Sequence, residues 1–299
     1  MSAPSDLHRP LSRPEELWPR TLDTTRHGLA TGALQPITTD CHLVEQDGVP
    51  FQVRVLGRVK RKEDRERERS HGAPFNPFEN PEADLVVGGL SPTHLCVLNK
   101  FNVVEHHLLL ITRAFEEQES PLTAADFEAL AFALAGLDGL AFYNSGEVAG
   151  ASQRHRHLQL IPPLGPNGLR APMEKLLLPP PPWGHLTTVP ALGFSHALTG
   201  LGLREVPPGE AAARLHTAYQ ALRETLGLHA PEPPPYNLLA TRDWMLLVPR
   251  ARATSHDINI NAMGFAGSLL VKTEEQLRQV EAVGPMTLLR EVALTASAG

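Results

Sequence analysis

The sequence predicts an α+β fold built on a largely antiparallel β-sheet. Short apolar runs with strand character are joined by tight turns. Helical segments occur between some of these runs, and the two kinds of element do not follow strict βαβ alternation. With 299 residues, of which 42% are hydrophobic and 20% charged, the chain can bury a sizeable core.

The first half of the chain contains most of the predicted strands. A helix is predicted around residues 14–22, and the alternating segment FQVRVLG at 51–57 predicts a strand. The mixed-charge run at 58–72 predicts a solvated loop, with the alternative that Lys60 folds over a phosphate. An apolar strand ending at Gly88 and Gly89, two strands within 94–113, and a strand within 139–146 follow. Before the last strand, 122–137 predicts a helix capped by Thr123, with Asp126 at the capping-box position.

A proline-rich segment divides the chain. Four consecutive prolines at 179–182 favour an extended connector over a helix or an inner strand. We therefore expect an N-terminal domain at 1–165, a connector at 166–190 and a C-terminal domain at 191–299. The last domain is predicted to hold an amphipathic helix at 208–228, strands at 236–241 and 244–250, and helices at 273–283 and 285–294.

Charge and cysteine content narrow the functional class. The net charge of −6 and the pI of about 6.2 argue against a general nucleic-acid binder, which needs a basic face. Cys41 and Cys96 are far apart and form no C-x-x-C, so neither a disulfide framework nor a cysteine-rich zinc site is predicted. The N-terminus lacks the apolar core of a secretory signal, and no run approaches the roughly 18 apolar residues of a membrane span. These features predict a cytoplasmic protein without a membrane partner.

The segment RHRHLQLI at 154–161 carries the strongest chemical signal. In a strand, alternation places His155, His157 and Gln159 on one face, about 6 to 7 Å apart at successive positions. Two such imidazoles could bind one metal ion, but a third ligand would be needed and Gln159 is a poor one. In isolation the pair could also be two partly exposed histidines on an edge strand.

The preceding loop adds donors to this row of side chains. Gly146, Gly150 and the small residue Ala151 let backbone amides approach a ligand closely. The same loop offers the neutral donors Asn144, Ser145, Ser152 and Gln153. A donor-rich loop followed by a histidine row is what a nucleotide phosphate chain requires, and the combination is more specific than H-x-H alone.

The motif N-S-G-x-x-x-G-A-S-Q-x-H-x-H-x-Q at 144–159 resembles the active-site strand of the diadenosine tetraphosphate phosphorylases, also called ATP adenylyltransferases. This family is a branch of the histidine-triad superfamily. The resemblance continues in VLNKFNVVEHHLLLITRAFEEQ at 97–118, in YNLLATRDWMLLVPR at 236–250 and in INAMGFAGSLLVK at 260–272. It implies a histidine-triad-like fold, extended by a C-terminal α+β half that completes the nucleotide pocket.

The resemblance also implies roles for the motif residues. His157 is the expected nucleophile, which attacks an α-phosphorus and forms an adenylyl-histidine, while His155 orients or supports the phosphate. A hydrogen bond from the other ring nitrogen of His157 to the strand backbone would fix its tautomer. Ser152 and Gln153 are expected to hold non-bridging oxygens. Gln159 stands where the hydrolase branches place a third histidine. Because an amide cannot transfer a proton at neutral pH, it favours an anionic acceptor over water.

Further substrate-binding residues are implied by position in the family's segments. They are Lys60, Asn99, Lys100, Asn261, Gly264 and Lys272. A solvated hairpin turn is the alternative for Asn99 and Lys100, and a packing turn followed by an ordinary exposed lysine is the alternative for the last three. Glu116 and Gln118 are candidates for ribose or base contacts. His107 is expected in the core or behind the site.

The implied reaction converts diadenosine tetraphosphate and phosphate into ATP and ADP, reversibly. The expected partners are thus a dinucleoside polyphosphate, ATP, ADP and inorganic phosphate, without nucleic acid. No cofactor is required by the sequence, and no dedicated metal site is predicted, although Mg²⁺ could enter bound to the polyphosphate. A uridylyl- or guanylyltransferase acting on a sugar phosphate and a non-catalytic sensor of dinucleoside polyphosphates remain alternatives. The oligomeric state is left open, and a monomer is compatible with the sequence.

Overall fold

A nine-stranded sheet runs through the molecule. The computed structural model describes residues 10–57, 76–165, 168–229 and 233–296. Its strands, in chain order, are β1 Thr39–Gln46, β2 Val49–Leu56, β3 Val86–Gly89, β4 His94–Leu98, β5 Leu108–Thr112, β6 Leu140–Asn144, β7 His157–Ile161, β8 Leu186–Thr187, β9 Ala197–Gly200, β10 Tyr236–Ala240, β11 Trp244–Pro249, β12 Thr254–Ser255, β13 Ile258–Asn259 and β14 Ser268–Val271. The large sheet has the order β3-β4-β5-β7-β6-β10-β11-β9-β8.

The pairing confirms the predicted α+β class with a largely antiparallel sheet. Every pair in the nine-stranded sheet is antiparallel. A smaller sheet of order β1-β2-β14 contains one parallel pair, in which β14 from the end of the chain lies beside β2. β6 also pairs with β10, so backbone hydrogen bonds join the two halves of the chain in both sheets. The division at 165 and 190 stays a prediction.

The helices lie on both faces of the large sheet. They are α1 Leu17–Thr31, α2 Ala124–Gly136, α3 Glu174–Leu177, α4 Pro208–Thr225, α5 Ala262–Phe265, α6 Glu274–Val283 and α7 Pro285–Val292. Short 3₁₀ helices occur at Pro14–Glu16, Ala83–Leu85 and Pro190–Leu192. α1 is longer than the predicted 14–22, and it ends where Gly32 adopts a left-handed conformation with φ of 77°. α2 begins with the predicted capping box, because the backbone N–H of Thr123 donates to Asp126 Oδ2 over 2.6 Å.

Among the described residues, the two larger of three hydrophobic clusters cover most of the two faces of the large sheet. One includes α2, α4 and the inward residues Leu158 and Leu160 of β7. The other includes β2, α5 and α7, together with Phe142 of β6 and Ile161 of β7. Since successive side chains of a strand point to opposite faces, His157 and Gln159 share the second face. The site therefore opens between this face of the sheet and the C-terminal elements.

Candidate active site

A cavity of about 980 Å³ lies between the sheet and the C-terminal half. Its lining includes His157, Gln159 and Phe142 from the sheet, and Asn261 and Lys272 from the other side. This volume is at the upper end of the range typical of small-molecule sites. The cavity is thus large enough for a nucleotide with several phosphates, and it requires both halves of the chain.

His157 has the hydrogen-bonding pattern of a nucleophile. Its Nδ1 lies 2.8 Å from the carbonyl oxygen of His155, and a carbonyl oxygen can only accept. Nδ1 therefore carries the proton, and Nε2 keeps a lone pair, which is the form of imidazole that a nucleophile needs. Burial lowers the pKa of His157 to about 4, although the hydrogen bond to His155 opposes this shift. The imidazole is therefore neutral at pH 7.

The backbone of His157 is fixed by a buried amide. The N–H of His157 donates to Gln118 Oε1 over 2.8 Å. Gln118 Nε2 donates in turn to the carbonyl oxygens of Asn144 and His157, over 2.8 and 3.3 Å. The ring of Phe78 lies 5.1 Å from the imidazole of His157, measured between centroids. These contacts hold the backbone and the imidazole of His157 in one position.

His155 is positioned beside the cavity and does not line it. Its Nε2 lies 2.8 Å from the carbonyl oxygen of Thr112, and its Nδ1 lies 3.0 Å from Asn76 Nδ2. Both ring nitrogens are thus engaged by protein atoms, and the side chain is buried. In this arrangement His155 acts on the site through its carbonyl oxygen, which fixes the tautomer of His157. A direct contact between His155 and phosphate stays a prediction.

Gln159 is hydrogen bonded to His107, the residue immediately before strand β5. His107 Nε2 lies 2.9 Å from Gln159 Oε1, and His107 Nδ1 lies 3.2 Å from Asn99 Nδ2. Burial lowers the pKa of His107 to about 4, opposed by the hydrogen bond that His107 makes to Gln159 Oε1. Asn99, His107 and Gln159 are therefore three neutral polar side chains that are hydrogen bonded in a row along the wall of the cavity.

The loop between β6 and β7 packs tightly against the C-terminal half. Gly150 has φ of +95°, and a Cβ there would lie 2.5 Å from the Cβ of Asn261. Only glycine fits this conformation and this close approach. The side-chain oxygen of Asn144 accepts from Asn237 Nδ2 over 2.8 Å and from the N–H of Ala262 over 2.9 Å. The loop and the C-terminal segment therefore form one rigid wall of the cavity.

A buried arginine stands behind this loop. Arg250 Nη1 donates to Asn237 Oδ1 over 2.6 Å and to the carbonyl oxygen of Ala149 over 3.3 Å. Burial lowers the pKa of Arg250 to about 10, which still leaves the guanidinium charged at pH 7. No carboxylate among the residues that the structure describes pairs with it. Its uncompensated charge favours an anion on the cavity side of the loop.

Comparisons with protein-family models agree with this geometry. The model described as the Ap4A phosphorylase N-terminal domain matches residues 8–179, which is more than half of the chain, where Ap4A is diadenosine tetraphosphate. The chain belongs to the Ap4A phosphorylase family. The model described as the ATP adenylyltransferase C-terminal domain matches residues 190–295. The family predicted from the sequence motif is thus confirmed.

Individual relatives extend the match. Diadenosine 5',5'''-P1,P4-tetraphosphate phosphorylase 2 of Saccharomyces cerevisiae is 31% identical over 237 residues, which cover 69% of this chain and 71% of the yeast protein. The solved structure of yeast Ap4A phosphorylase Apa2 has a TM-score of 0.76, and its complex with Ap4A has a TM-score of 0.77. Both are 24% identical, and each alignment covers 95% of this chain and 99% of the yeast chain. These structures confirm the fold.

Most of the predicted site residues line the cavity of this family member. Those that do so are Asn99, Lys100, Asn144, Gly150, Ala151, Ser152, Gln153, His157, Gln159, Asn261, Gly264 and Lys272. Lys100 pairs with Glu82 over 2.6 Å, and both residues lie at the cavity wall. Ser145 is buried, and its N–H bonds to the carbonyl oxygen of Tyr236, so it extends the sheet and does not line the cavity. Lys60 lies outside the described residues. Direct substrate contacts of all these residues stay predictions.

Two candidates for ribose or base contacts have other roles. Glu116 forms an ion pair with Arg156 on the opposite side of β7, and Gln118 is buried with its amide bound to backbone atoms. Neither lines the cavity, and ribose or base contacts by these two residues stay a prediction. The segment 116–118 runs beside 154–156, which buries the side chain of Gln118 and leaves that of Glu116 partly exposed beside Arg156.

Several residues that build the site carry no sequence signal of their own. Asn237, Arg250 and Phe78 are the clearest cases, because an asparagine in a strand, an arginine at a strand end and a phenylalanine between prolines are common. His107 was expected in the core or behind the site, but it lines the cavity and contacts Gln159 there. Among the described residues, no group of three or more His, Cys, Asp or Glu side chains could hold a metal ion. Likewise, none of the helices in the described ranges is long and apolar enough to span a membrane.

Proposed function

We propose that the protein catalyses the reversible phosphorolysis of Ap4A, in which phosphate converts Ap4A into ATP and ADP. The observation that carries this proposal is the pairing of a neutral nucleophile with an amide. His157 offers a lone pair at Nε2, and Gln159, two positions along the same face, cannot exchange a proton. Membership of the Ap4A phosphorylase family and the relatives' names support the same substrate class.

The first step transfers an adenylyl group to the protein. His157 Nε2 attacks the α-phosphorus of Ap4A and forms a P–N bond, while the bond from that phosphorus to the bridging oxygen breaks. The leaving group is ATP, whose terminal phosphate keeps the electron pair and needs no proton from the enzyme. An amide at Gln159 is sufficient here, because it stabilises the phosphoryl oxygens without acting as an acid.

The second step returns the adenylyl group to phosphate. An oxygen of inorganic phosphate attacks the same phosphorus, the P–N bond breaks, and ADP leaves with His157 neutral again. Phosphate is already an anion at neutral pH, so no general base is needed, whereas water would need one. The absence of a proton acceptor at Gln159 therefore favours phosphate over water. Phosphate as acceptor, Mg²⁺ carried with the substrate and a cytoplasmic location stay predictions.

A product assay tests this function. Incubation of the protein with Ap4A should yield ATP and ADP only when phosphate is present. His157→Ala should bind Ap4A within about threefold of the wild type, yet lower turnover at least about 1,000-fold, since the nucleophile itself is removed. His185→Ala, a substitution of an exposed histidine outside the cavity, is the control and should keep full activity.

Other outcomes contradict the proposal in different ways. ATP and AMP formed without phosphate would indicate a hydrolase. Binding of Ap4A without any conversion would indicate a sensor. If His157→Ala loses less than about tenfold in rate, the assignment of the nucleophile is wrong.

A further inference from the structure

The direction of the hydrogen bonds that reach Gln159 can be derived from one backbone amide. The N–H of Phe101 lies 3.2 Å from Asn99 Oδ1, and a backbone N–H can only donate. The side-chain oxygen of Asn99 is therefore turned towards its own hairpin. This leaves Asn99 Nδ2 facing His107 Nδ1 at 3.2 Å. Because an amide nitrogen only donates, Nδ1 of His107 must accept.

The same reasoning fixes the next bond. A neutral imidazole that accepts at Nδ1 carries its proton at Nε2. His107 Nε2 lies 2.9 Å from the amide of Gln159, so the atom of Gln159 that faces it must be the oxygen Oε1. Both N–H groups of Gln159 Nε2 are then directed away from His107. No side chain or carbonyl of the described residues accepts a hydrogen bond from them.

We propose that His107 is a positioning residue, which holds the amide of Gln159 with its N–H groups towards the phosphoryl group of the substrate. This inference rests on the proposed function, because Gln159 acts on a phosphoryl group only in that reaction. This series of hydrogen bonds begins at the backbone N–H of Phe101 in the hairpin at 99–101. It ends at the N–H groups of Gln159, which are directed towards the substrate.

The orientation matters because an amide has two chemically opposite ends. With Oε1 held by His107, Gln159 presents donors to oxygens that gain negative charge in the transition state. If the amide rotates by half a turn, Oε1 faces those oxygens and repels them. A hydrogen bond that fixes the amide before the substrate arrives avoids this loss, and one such bond corresponds to about a tenfold change in rate.

His107 also suits this role because it keeps one protonation state. It is partly buried, and its pKa is lowered to about 4, chiefly by burial. The imidazole therefore remains neutral throughout the physiological range. A charged His107 would donate from both nitrogens, which would oppose Asn99 Nδ2 and break the chain of hydrogen bonds.

Two substitutions of His107 distinguish the hydrogen bond at Nδ1 from the hydrogen bond at Nε2. His107→Asn keeps an acceptor near the position of Nδ1 but has no atom that reaches Gln159. His107→Gln keeps an N–H near the position of Nε2. We expect His107→Asn to lower kcat for Ap4A phosphorolysis about tenfold, with KM within about twofold of the wild type. His107→Gln should recover kcat to within about threefold of the wild type.

The neighbouring histidine provides a matched control. His106 has φ of 57°, contacts Thr25 and Trp18, and does not line the cavity. Asparagine tolerates this left-handed conformation, so His106→Asn should leave kcat within about twofold of the wild type. If His107→Asn leaves kcat unchanged, or if His107→Gln falls as far as His107→Asn, the inference is wrong.

A double-mutant cycle tests whether His107 acts through Gln159. In a Gln159→Ala background, His107→Asn should change kcat by less than about twofold, since the amide that it positions is gone. A tenfold loss in both backgrounds would mean that His107 acts independently of Gln159, which would refute the positioning role.

Nitrogen NMR of ¹⁵N-histidine-labelled protein tests the hydrogen bonds without turnover. At pH 7 His107 should be the Nε2–H tautomer, and its Nε2 proton should exchange faster in Gln159→Ala than in the wild type. An Nδ1–H tautomer at His107 would refute the inference. A protein that shows the Nε2–H tautomer but converts no Ap4A would refute the proposed function alone, so the two failures are distinguishable.

Discussion

The two faces of the segment 154–160 differ in how they hold polar groups. The face towards the cavity carries His157 and Gln159, both neutral and hydrogen bonded to a carbonyl oxygen or to His107. The opposite face carries the buried Arg156, which pairs with Asp126 over 3.2 Å and also with Glu116. One short strand thus separates a neutral site from an ionic cluster.

The difference follows from what each face must do. A nucleophile must be unprotonated to attack phosphorus, and burial without a carboxylate partner keeps the pKa of His157 at about 4. The two carboxylates beside Arg156 stabilise its buried charge, because an isolated charge in the interior is strongly unfavourable. The ionic face connects the catalytic strand to α2, since Asp126 also closes the capping box of that helix. We infer that the back of the strand supplies stability and the front supplies reactivity.

Arg156→Met breaks the ionic face and should have the largest effect on folding. Removing one partner of a buried pair leaves Asp126 without its cation, so the free energy of unfolding should fall by about 3 to 5 kcal/mol. The kcat of the protein that remains folded should stay within about threefold of the wild type, because Gln118 still holds the backbone of His157. Denaturant unfolding and active-site titration measure the two quantities.

Arg154→Met is the matched control for this prediction. Arg154 lies on the same face, two residues away, and pairs with Glu117 over 2.6 Å, but its side chain is 83% exposed. Exposed pairs contribute about 0 to 1 kcal/mol, so this variant should be almost as stable as the wild type. Equal destabilisation by the two substitutions would contradict the assignment of stability to the buried pair.

As the pH falls, the cavity face should lose its contribution to the free energy of unfolding at a higher pH than the ionic face. The pKa of His157 is about 4 in the folded state and near 6.5 in the unfolded chain, so above pH 6.5 neither state binds the proton. Between pH 6.5 and 4 only the unfolded chain binds it, and stability falls by about 3 kcal/mol over this window. His157→Asn, which cannot titrate, should show a correspondingly smaller fall in denaturant unfolding.

The ionic face should respond at lower pH. Burial raises the pKa of Asp126, but hydrogen bonds from His94 and Thr123 and the charge of Arg156 outweigh it and leave the pKa lowered. The stabilisation from a carboxylate of lowered pKa is present above its unfolded pKa, near 4, and is lost as pH falls through its folded value. In a His157→Asn variant, the loss of stability that comes from Asp126 should therefore begin only below about pH 4. A fall between pH 6.5 and 4 as large in that variant as in the wild type would contradict this assignment.

Local patterns predicted the elements of this fold and much of the site. Strand alternation predicted that His157 and Gln159 lie on one face, and they do so in β7. The residues Thr123 and Asp126 predicted the capping box of α2. The helix and strand of the segment 260–272 were not assigned in advance, because its small residues fit several structures. The tautomer of His157 was anticipated from the chemistry of the nucleophile, and the carbonyl oxygen of His155 provides the required acceptor.

Contacts between distant segments could not be predicted from local patterns. The hydrogen bond between His107 and Gln159 spans 52 positions, and that between Asn237 and Asn144 spans 93. Both depend on the register of strand pairs, which a single sequence does not encode locally. Ser145 and His155 belong to the motif, yet Ser145 extends the sheet and both ring nitrogens of His155 bind protein atoms.

Trapping of the adenylyl-protein tests the central claim most directly. The protein is incubated with Ap4A in the absence of phosphate, digested under conditions that preserve phosphoramidates, and mapped by mass spectrometry. We expect one adenylyl group per chain on His157, released ATP in equal amount, and recovery of the adenylyl group as ADP when phosphate is added. An adenylyl group on another residue, or turnover to ATP and ADP without any adenylyl-protein, would contradict the account.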